Sequence, residues 1–243
     1  KNILCTTVPV QTARDAMTRL EQIREDHKAF IFLSASIGDE LIDDLMKMKA
    51  PFLVVQPKGL NRGFNYIAAD HFSGSAEIAE IAVRKNYRSF LYVSRNYVDT
   101  VEKLRGFQET LLRFGISPER IHLLSAGDID QEAGSAAFER FLTEKHGDEI
   151  FPLAVYASGD RLALGVLSSC RKLGLKVPGQ IGVAGGTGIP EAAQSTPPLT
   201  TMEIPMHQMG REAAKMSHKI SLHDQSFYPG KILKVILHER DSL

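Results

Sequence analysis

The sequence predicts an α/β fold of parallel sheets covered by helices, and three observations carry that expectation. Apolar runs of four to six residues alternate with amphipathic helical patterns almost throughout the 243 residues. The stretch from Leu173 to Met202 reads as helix end, buried strand, glycine loop and crossover. The 19 glycines and 11 prolines punctuate these elements instead of gathering in one flexible linker, and no internal repeat is present.

Taken in order, the expected strands of a first series are Asn2 to Thr6, Ala29 to Ser34, Phe52 to Gln56, Tyr66 to Ala69 and Ser89 to Ser94. A second series runs Arg120 to Leu124, Leu153 to Ala157, Ile181 to Ala184, Leu199 to Glu203 and Lys231 to His238. Between them, Ala13 to Asp26, Asp39 to Lys49, Ser73 to Asn86 and Lys103 to Phe114 carry apolar residues at helical spacing. So do Gln131 to Lys145, Asp160 to Leu173 and Met206 to Ile220. Gly174 stands where a helix places its C-terminal glycine, and Val177-Pro178 then forces extended backbone before the short apolar run Ile181 to Ala184. That strand empties into Gly185-Gly186-Thr187-Gly188, a loop of the kind that meets ligands at the carboxyl ends of parallel strands.

Composition narrows the classes. With 29 basic and 29 acidic residues the chain has no electrostatic footprint for nucleic acid or an anionic membrane. No stretch approaches the roughly eighteen apolar residues of a membrane span, and no signal segment opens the chain. Cys5 and Cys170 lie in or beside apolar runs and read as reduced core residues. The eight histidines are scattered without metal-ligand spacing, so neither a metal nor a cofactor is expected. No Ser/His/Asp series, zinc-protease helix, phosphate-binding P-loop or dinucleotide fingerprint appears, which argues against an enzyme. GGTGIP follows a strand but lacks the lysine and the helix-opening Ser/Thr of a P-loop.

VPGQIGVAG, PPLTTM, MGREAA and the terminal ERDS, in that order, resemble the effector-binding core of the LacI/GalR family of bacterial transcription regulators. Upstream, IAADHFSGSAEIAEIAV, NYRSFLYVS, KLRGFQETLLRFGI and YASGDRLALGVL extend the resemblance over nearly the whole chain. The resemblance implies two Rossmann-like subdomains of periplasmic-binding-protein type I architecture, joined by three crossing strands with the ligand between them. On that pattern residues 1–95 plus 202–223 form the N-terminal subdomain and 96–201 plus 224–243 the C-terminal one. The crossings are expected near Ser94 to Val98, Thr200 to Ile204 and His223 to Tyr228. Lys1 falls at the family's second strand, so an opening strand and helix, and a helix-turn-helix headpiece, are expected to lie outside this sequence.

The same resemblance nominates site residues, each with a plainer reading beside it. Asp70 opens the family's D-x-x-x-G pattern and Ser73 precedes Gly74, yet either suits the N-cap of the following helix, the favoured reading for Asp70. Lys103 stands where the family has an arginine that contacts effector; the alternative is a solvated lysine in a first helical turn. Gly159 and Asp160 match the family's Asn-Asp pair, with Asp160 expected chiefly to cap its helix. Thr187 holds the position of the family's ligand-binding aspartate, and Arg95, Asn96, Tyr97 and Asp99 lie on a crossover loop where Tyr97 could stack on ligand. Loss of side-chain polarity at these sites, with a positive Lys103 retained, points to an anionic effector such as a sugar phosphate or sugar acid, or to a site that binds nothing small.

The expected protein is thus the ligand-sensing core of a cytoplasmic regulator. It would form a homodimer, reach operator DNA through a headpiece outside this sequence, and make no membrane contact. Helices Asp39 to Lys49 and Ser73 to Asn86 are possible dimer surfaces; Met46, Met48 and Ala50 either contribute to one or face the core. The alternative is a periplasmic sugar-binding protein that serves a transporter.

Overall fold

The computed structural model describes residues 6–10, 12–33, 39–48, 51–57, 63–96, 100–144, 150–222 and 228–243. Asn2 to Cys5 of the first expected strand, Cys5 itself, Ala50, Tyr97 and Asp99 lie outside the described residues. The chain divides into two compact units, Lys1–Ala69 with Met206–Leu233, and Asp70–Pro205 with Lys234–Leu243.

The first unit contains α1 (Ala13–Ile23), β1 (Phe30–Leu33), α2 (Asp39–Lys47), β2 (Phe52–Val55) and β3 (Asn65–Ala69). The returning chain adds α8 (Met206–Leu222) and β9 (Lys231–Leu233). The strands form a parallel sheet in the order β1-β2-β3-β9, registered Phe30↔Phe52, Leu53↔Asn65 and Ile67↔Lys231. Because successive strand residues face opposite sides, Phe52 and Val54 fall on one face, where they pack with Ala16 and Leu20 of α1 and Leu41, Ile42 and Leu45 of α2. Aromatic rings run through this core, Phe32 to Phe52 at 6.3 Å, Phe52 to Phe64 at 6.2 Å and Phe64 to Tyr66 at 5.9 Å. Met48 packs against the same cluster, while Met46 is exposed, so the two methionines divide between core and surface. Asn65 is buried and satisfied, donating to Phe52 O at 2.8 Å and accepting from Tyr228 N at 2.6 Å.

The second unit contains α3 (His71–Arg84), β4 (Ser89–Ser94), α4 (Val101–Arg113), β5 (Ile121–Ser125), α5 (Gln131–Glu144), β6 (Leu153–Ala157) and α6 (Asp160–Lys172). It continues with β7 (Ile181–Gly185), the short α7 (Pro190–Gln194), β8 (Thr200–Glu203) and β10 (Ile236–His238). The sheet order is β10-β8-β7-β6-β4-β5, parallel except for the β10–β8 pair. Alternate residues serve opposite faces. Leu91, Val93, Leu153, Val155, Ile181 and Val183 join Phe138, Phe141, Leu162 and Val166 of α5 and α6. Phe90, Tyr92 and Tyr156 instead meet Phe107 of α4 at 5.2–6.4 Å between ring centroids. The helices of each pair approach closely. A methyl group on Gly106 would strike the Phe72 backbone, and one on Gly165 the Gln131 carbonyl.

These boundaries differ from the expected ones. The first passage between units follows Ala69 and not Ser94, because β4 is hydrogen-bonded between β5 and β6, and α3 packs on α4 of the same unit. The second passage lies at Pro205–Met206. The third divides what the sequence presents as one strand from Lys231 to His238: Lys231–Leu233 pairs with β3, whereas Ile236–His238 pairs with β8.

Candidate functional site

Two loops of the second unit leave adjacent parallel strands, 158–160 after β6 and 186–189 after β7, and the polar residues of both are joined there. Asp160 is fully buried. Its Oδ1 accepts from Thr187 N at 3.0 Å and from Thr201 Oγ1 at 2.6 Å, and its Oδ2 accepts from Ile189 N at 2.8 Å. Its own amide donates to Thr187 Oγ1 at 3.1 Å, so Asp160 and Thr187 bind each other reciprocally. Gly188 N donates to Thr201 Oγ1 at 3.3 Å, which ties the same loop to β8. Gly185 lies directly beneath the carboxylate; a methyl group there would collide with Asp160 Oδ1.

Asp160 is therefore not the helix cap expected of it. The N-cap of α6 is Gly159, with extended backbone at φ −146° and ψ 151° and no side-chain cap bond. A methyl group added at Gly159 would meet only Thr187 Cγ2, at 3.9 Å, so this position has room for a side chain.

At Lys103 the structure excludes the plainer of the two readings. Lys103 is no solvated first-turn lysine: it is 7% exposed, and Nζ donates to Ser158 O and Gly186 O, both at 2.7 Å. One ammonium thus spans the two loops. Burial pulls its pKa down to about 8, against which the charge of Asp160 works in the opposite direction. His71, at the start of α3, is held neutral by burial and then by the Lys103 charge, with its pKa lowered to about 3. Nearby in the same sheet, the buried Tyr156 hydroxyl shares a 2.8 Å hydrogen bond with Ser75 Oγ.

Asp70 and Ser73 form a separate, local arrangement. Asp70 is the N-cap of α3 and accepts from Ser73 N at 3.0 Å, while the Ser73 residue is exposed. On the chain before α4, Asn96 O accepts from Ser94 Oγ at 2.9 Å and from Thr100 Oγ1 at 3.2 Å, and Arg95 O accepts from Ser125 Oγ at 2.8 Å. The structure therefore brings Lys103, Gly159, Asp160 and Thr187 together and keeps Asp70 with Ser73. Ser158, Thr201 and His71 are not site candidates in the sequence, and Gly186 enters there only as part of the glycine loop. Ser158 and Gly186 act through main-chain oxygens, which side-chain identity does not reveal, although both follow the carboxyl ends of expected strands. Among the described residues no cluster suited to a metal ion is found, and no helix is long and apolar enough to cross a membrane. Cys170 is buried and its thiol is pushed up to about 12 by desolvation, which makes it an inert core group.

Residues 79–243 match the model of the periplasmic binding protein-like domain family. The HTH-type transcriptional repressor PurR of Yersinia pestis (strain Pestoides F) is 35% identical over 204 residues, covering 82% of this chain and 58% of that protein. Catabolite control protein A of Priestia megaterium is 23% identical over 192 residues, 78% of this chain and 56% of its own length. The chain thus spans a little over half the length of these curated relatives. A sugar-binding transcriptional regulator of the LacI family from Escherichia coli, solved in complex with phosphate, superposes with a TM-score of 0.80 at 21% identity, covering 96% of this chain and 83% of that one. At that identity the likeness is one of fold.

Proposed function

The chain belongs to the family of periplasmic binding protein-like domains, and from that premise we propose that it is the effector-sensing and dimerisation core of a LacI-type transcription regulator. The carrying observation is the meeting of two loops at the carboxyl ends of β6 and β7, where open parallel sheets bind ligands. Effector bound there shifts a two-state arrangement in a homodimer and so changes operator affinity through a headpiece, with the whole protein working in the cytoplasm. The Yersinia pestis relative bears the name of a transcriptional repressor, which favours this reading over a transport protein.

The effector is an anionic sugar derivative, a sugar phosphate or sugar acid. An ammonium has three N–H donors, and Lys103 commits two of them to main-chain carbonyls, leaving one for a ligand oxygen. Thr187, which replaces a carboxylate at this position of the family pattern, adds no negative charge to repel an anion. A thermal-melt screen against sugar phosphates, sugar acids, neutral sugars and nucleobases tests the reading. A ligand at about a hundred times its Kd adds about 2.7 kcal/mol of stability. The expected result is a shift with anionic sugars that Lys103→Met removes. A shift with neutral sugars alone would replace the effector class, and a flat screen on a folded dimer would refute small-molecule sensing.

A further inference from the structure

The bonds of Lys103 are an unusual use of a lysine. Its ammonium is buried, forms no ion pair within salt-bridge distance among the described residues, and ends on two carbonyl oxygens from two different loops. Those oxygens belong to Ser158, two residues before Asp160, and to Gly186, immediately before Thr187. The same two loops are joined a second time by the Asp160 carboxylate, through Thr187 N and Ile189 N. Seen without Lys103, the residues around Nζ offer a cation two carbonyls at hydrogen-bond distance and the charge of Asp160, which work against the cost of burying it, and in His71 a neighbour that stays neutral. Gly186 permits the approach, since a methyl group there would lie 2.9 Å from Ser158 O and 3.1 Å from Tyr156 Oη.

We propose that Ser158 O and Gly186 O, over Asp160, form a binding site for a primary ammonium that Lys103 occupies from within, so that the lysine latches the β6 and β7 loops together before any effector arrives. The inference concerns regulation of the face described above and rests on that reading only for its biological purpose; the ammonium site itself is independent of which effector binds. In the latched state the loops are already set. A ligand arriving at this face meets a formed surface, and one that draws the ammonium off its carbonyls also loosens 158–160 from 186–189. Hydrogen bonds to a charged group are stronger than those between neutral groups, so losing the latch increases loop opening by roughly tenfold or more.

The test removes the side chain and returns its charge as a free molecule. Lys103→Ala leaves space for n-propylammonium, with 1-propanol as the neutral analogue and sodium chloride as the ionic-strength control. Amide hydrogen exchange is read at Asp160, Thr187, Gly188 and Ile189, with the β4–β5 amides as internal reference, and no sugar is present. In the variant, exchange at those four amides is expected to quicken by roughly tenfold or more while the reference holds. n-Propylammonium should slow it again, saturably, whereas 1-propanol and salt should not, and the wild type should be indifferent to all three. Equal rescue by 1-propanol, no quickening at the loops, or quickening spread evenly across the unit would each overturn the proposal. If Lys103→Ala does not fold, Lys103→Met keeps the stem without the charge, and unchanged loop exchange in that variant is equally decisive. Rescue by n-propylammonium beside a flat sugar screen would leave the latch standing and the effector reading refuted. The converse would do the opposite.

Discussion

Asp70 and Asp160 both stand at the start of a helix in the same unit, yet their carboxylates are used at different ranges. Asp70 reaches three residues along its own chain and accepts one amide, Ser73 N. Asp160 reaches 27, 29 and 41 residues away, to Thr187, Ile189 and Thr201, and is fully buried there. A helix-start aspartate is legible in a sequence because capping is a local rule, fixed by the three-residue reach of a side chain to its own backbone. A carboxylate that organises a loop from the next strand obeys no such spacing. The energetic consequence follows from range and burial together. A cap at the surface can be replaced by water, whereas donors gathered around a buried carboxylate cannot.

The largest expected effect that tests this contrast is that of Asp160→Ala. It leaves Thr187 N, Ile189 N and the Thr201 hydroxyl without their acceptor and Lys103 without the charge that offsets its burial, at a cost of about 3–5 kcal/mol in denaturant unfolding. A cost near that of a surface cap would show that water reaches the carboxylate, and the contrast would fail.

The comparison also marks how far the sequence could be read. Parallel sheets, the glycine loop at 185–188 and most helices were legible, because hydrophobic period and glycine-proline punctuation are short-range signals. The assignment of α3 and β4 to the second unit was not, since it depends on which strands pair, and Ser89–Ser94 is as apolar as an interior strand of either sheet. The run Lys231 to His238 hid a change of sheet for the same reason: its residues suit both strands, and only their partners differ. At the site, the family resemblance nominates Lys103, Asp160 and Thr187, but not their mutual bonds, because the partners of Lys103 are carbonyls that any residue could supply.

A pH series separates the buried cation from the exposed cap. The pKa of Lys103 in the folded chain, about 8, lies below its free value of 10.5, so folding disfavours the charged form. Stability measured against Lys103→Met should be flat below about pH 8 and rise through pH 10.5 by about 3 kcal/mol. A difference that falls over that window would mean that the ammonium is better stabilised in the folded chain than in water. That result would place Asp160 and the two carbonyls as a full counterweight to burial.

Thr201→Val keeps the shape of the side chain and removes one donor to Asp160 and one acceptor for Gly188 N. Two other donors still hold the carboxylate, so about 1–3 kcal/mol is expected in unfolding, less than for Asp160→Ala and more than for a cap. Exchange at Gly188 should quicken with it. If Thr201→Val costs as much as Asp160→Ala, the tie to β8 dominates and the two loop amides contribute little.

The smallest effect belongs to the local aspartate. Asp70→Ala removes the acceptor for Ser73 N at the start of a 14-residue helix, and loss of such a cap costs about 1 kcal/mol. Asp70→Ser, which restores a capping oxygen, should recover most of that loss, while Asp160→Ser should recover almost none, because a hydroxyl cannot span three donors drawn from a distant loop and strand. The pair of serine substitutions therefore tests range directly: both positions keep a short polar side chain, and only the number and distance of the partners differ. Equal recovery at both sites would mean that Asp160 acts as a cap after all, and that its long-range bonds carry little of the stability of the unit.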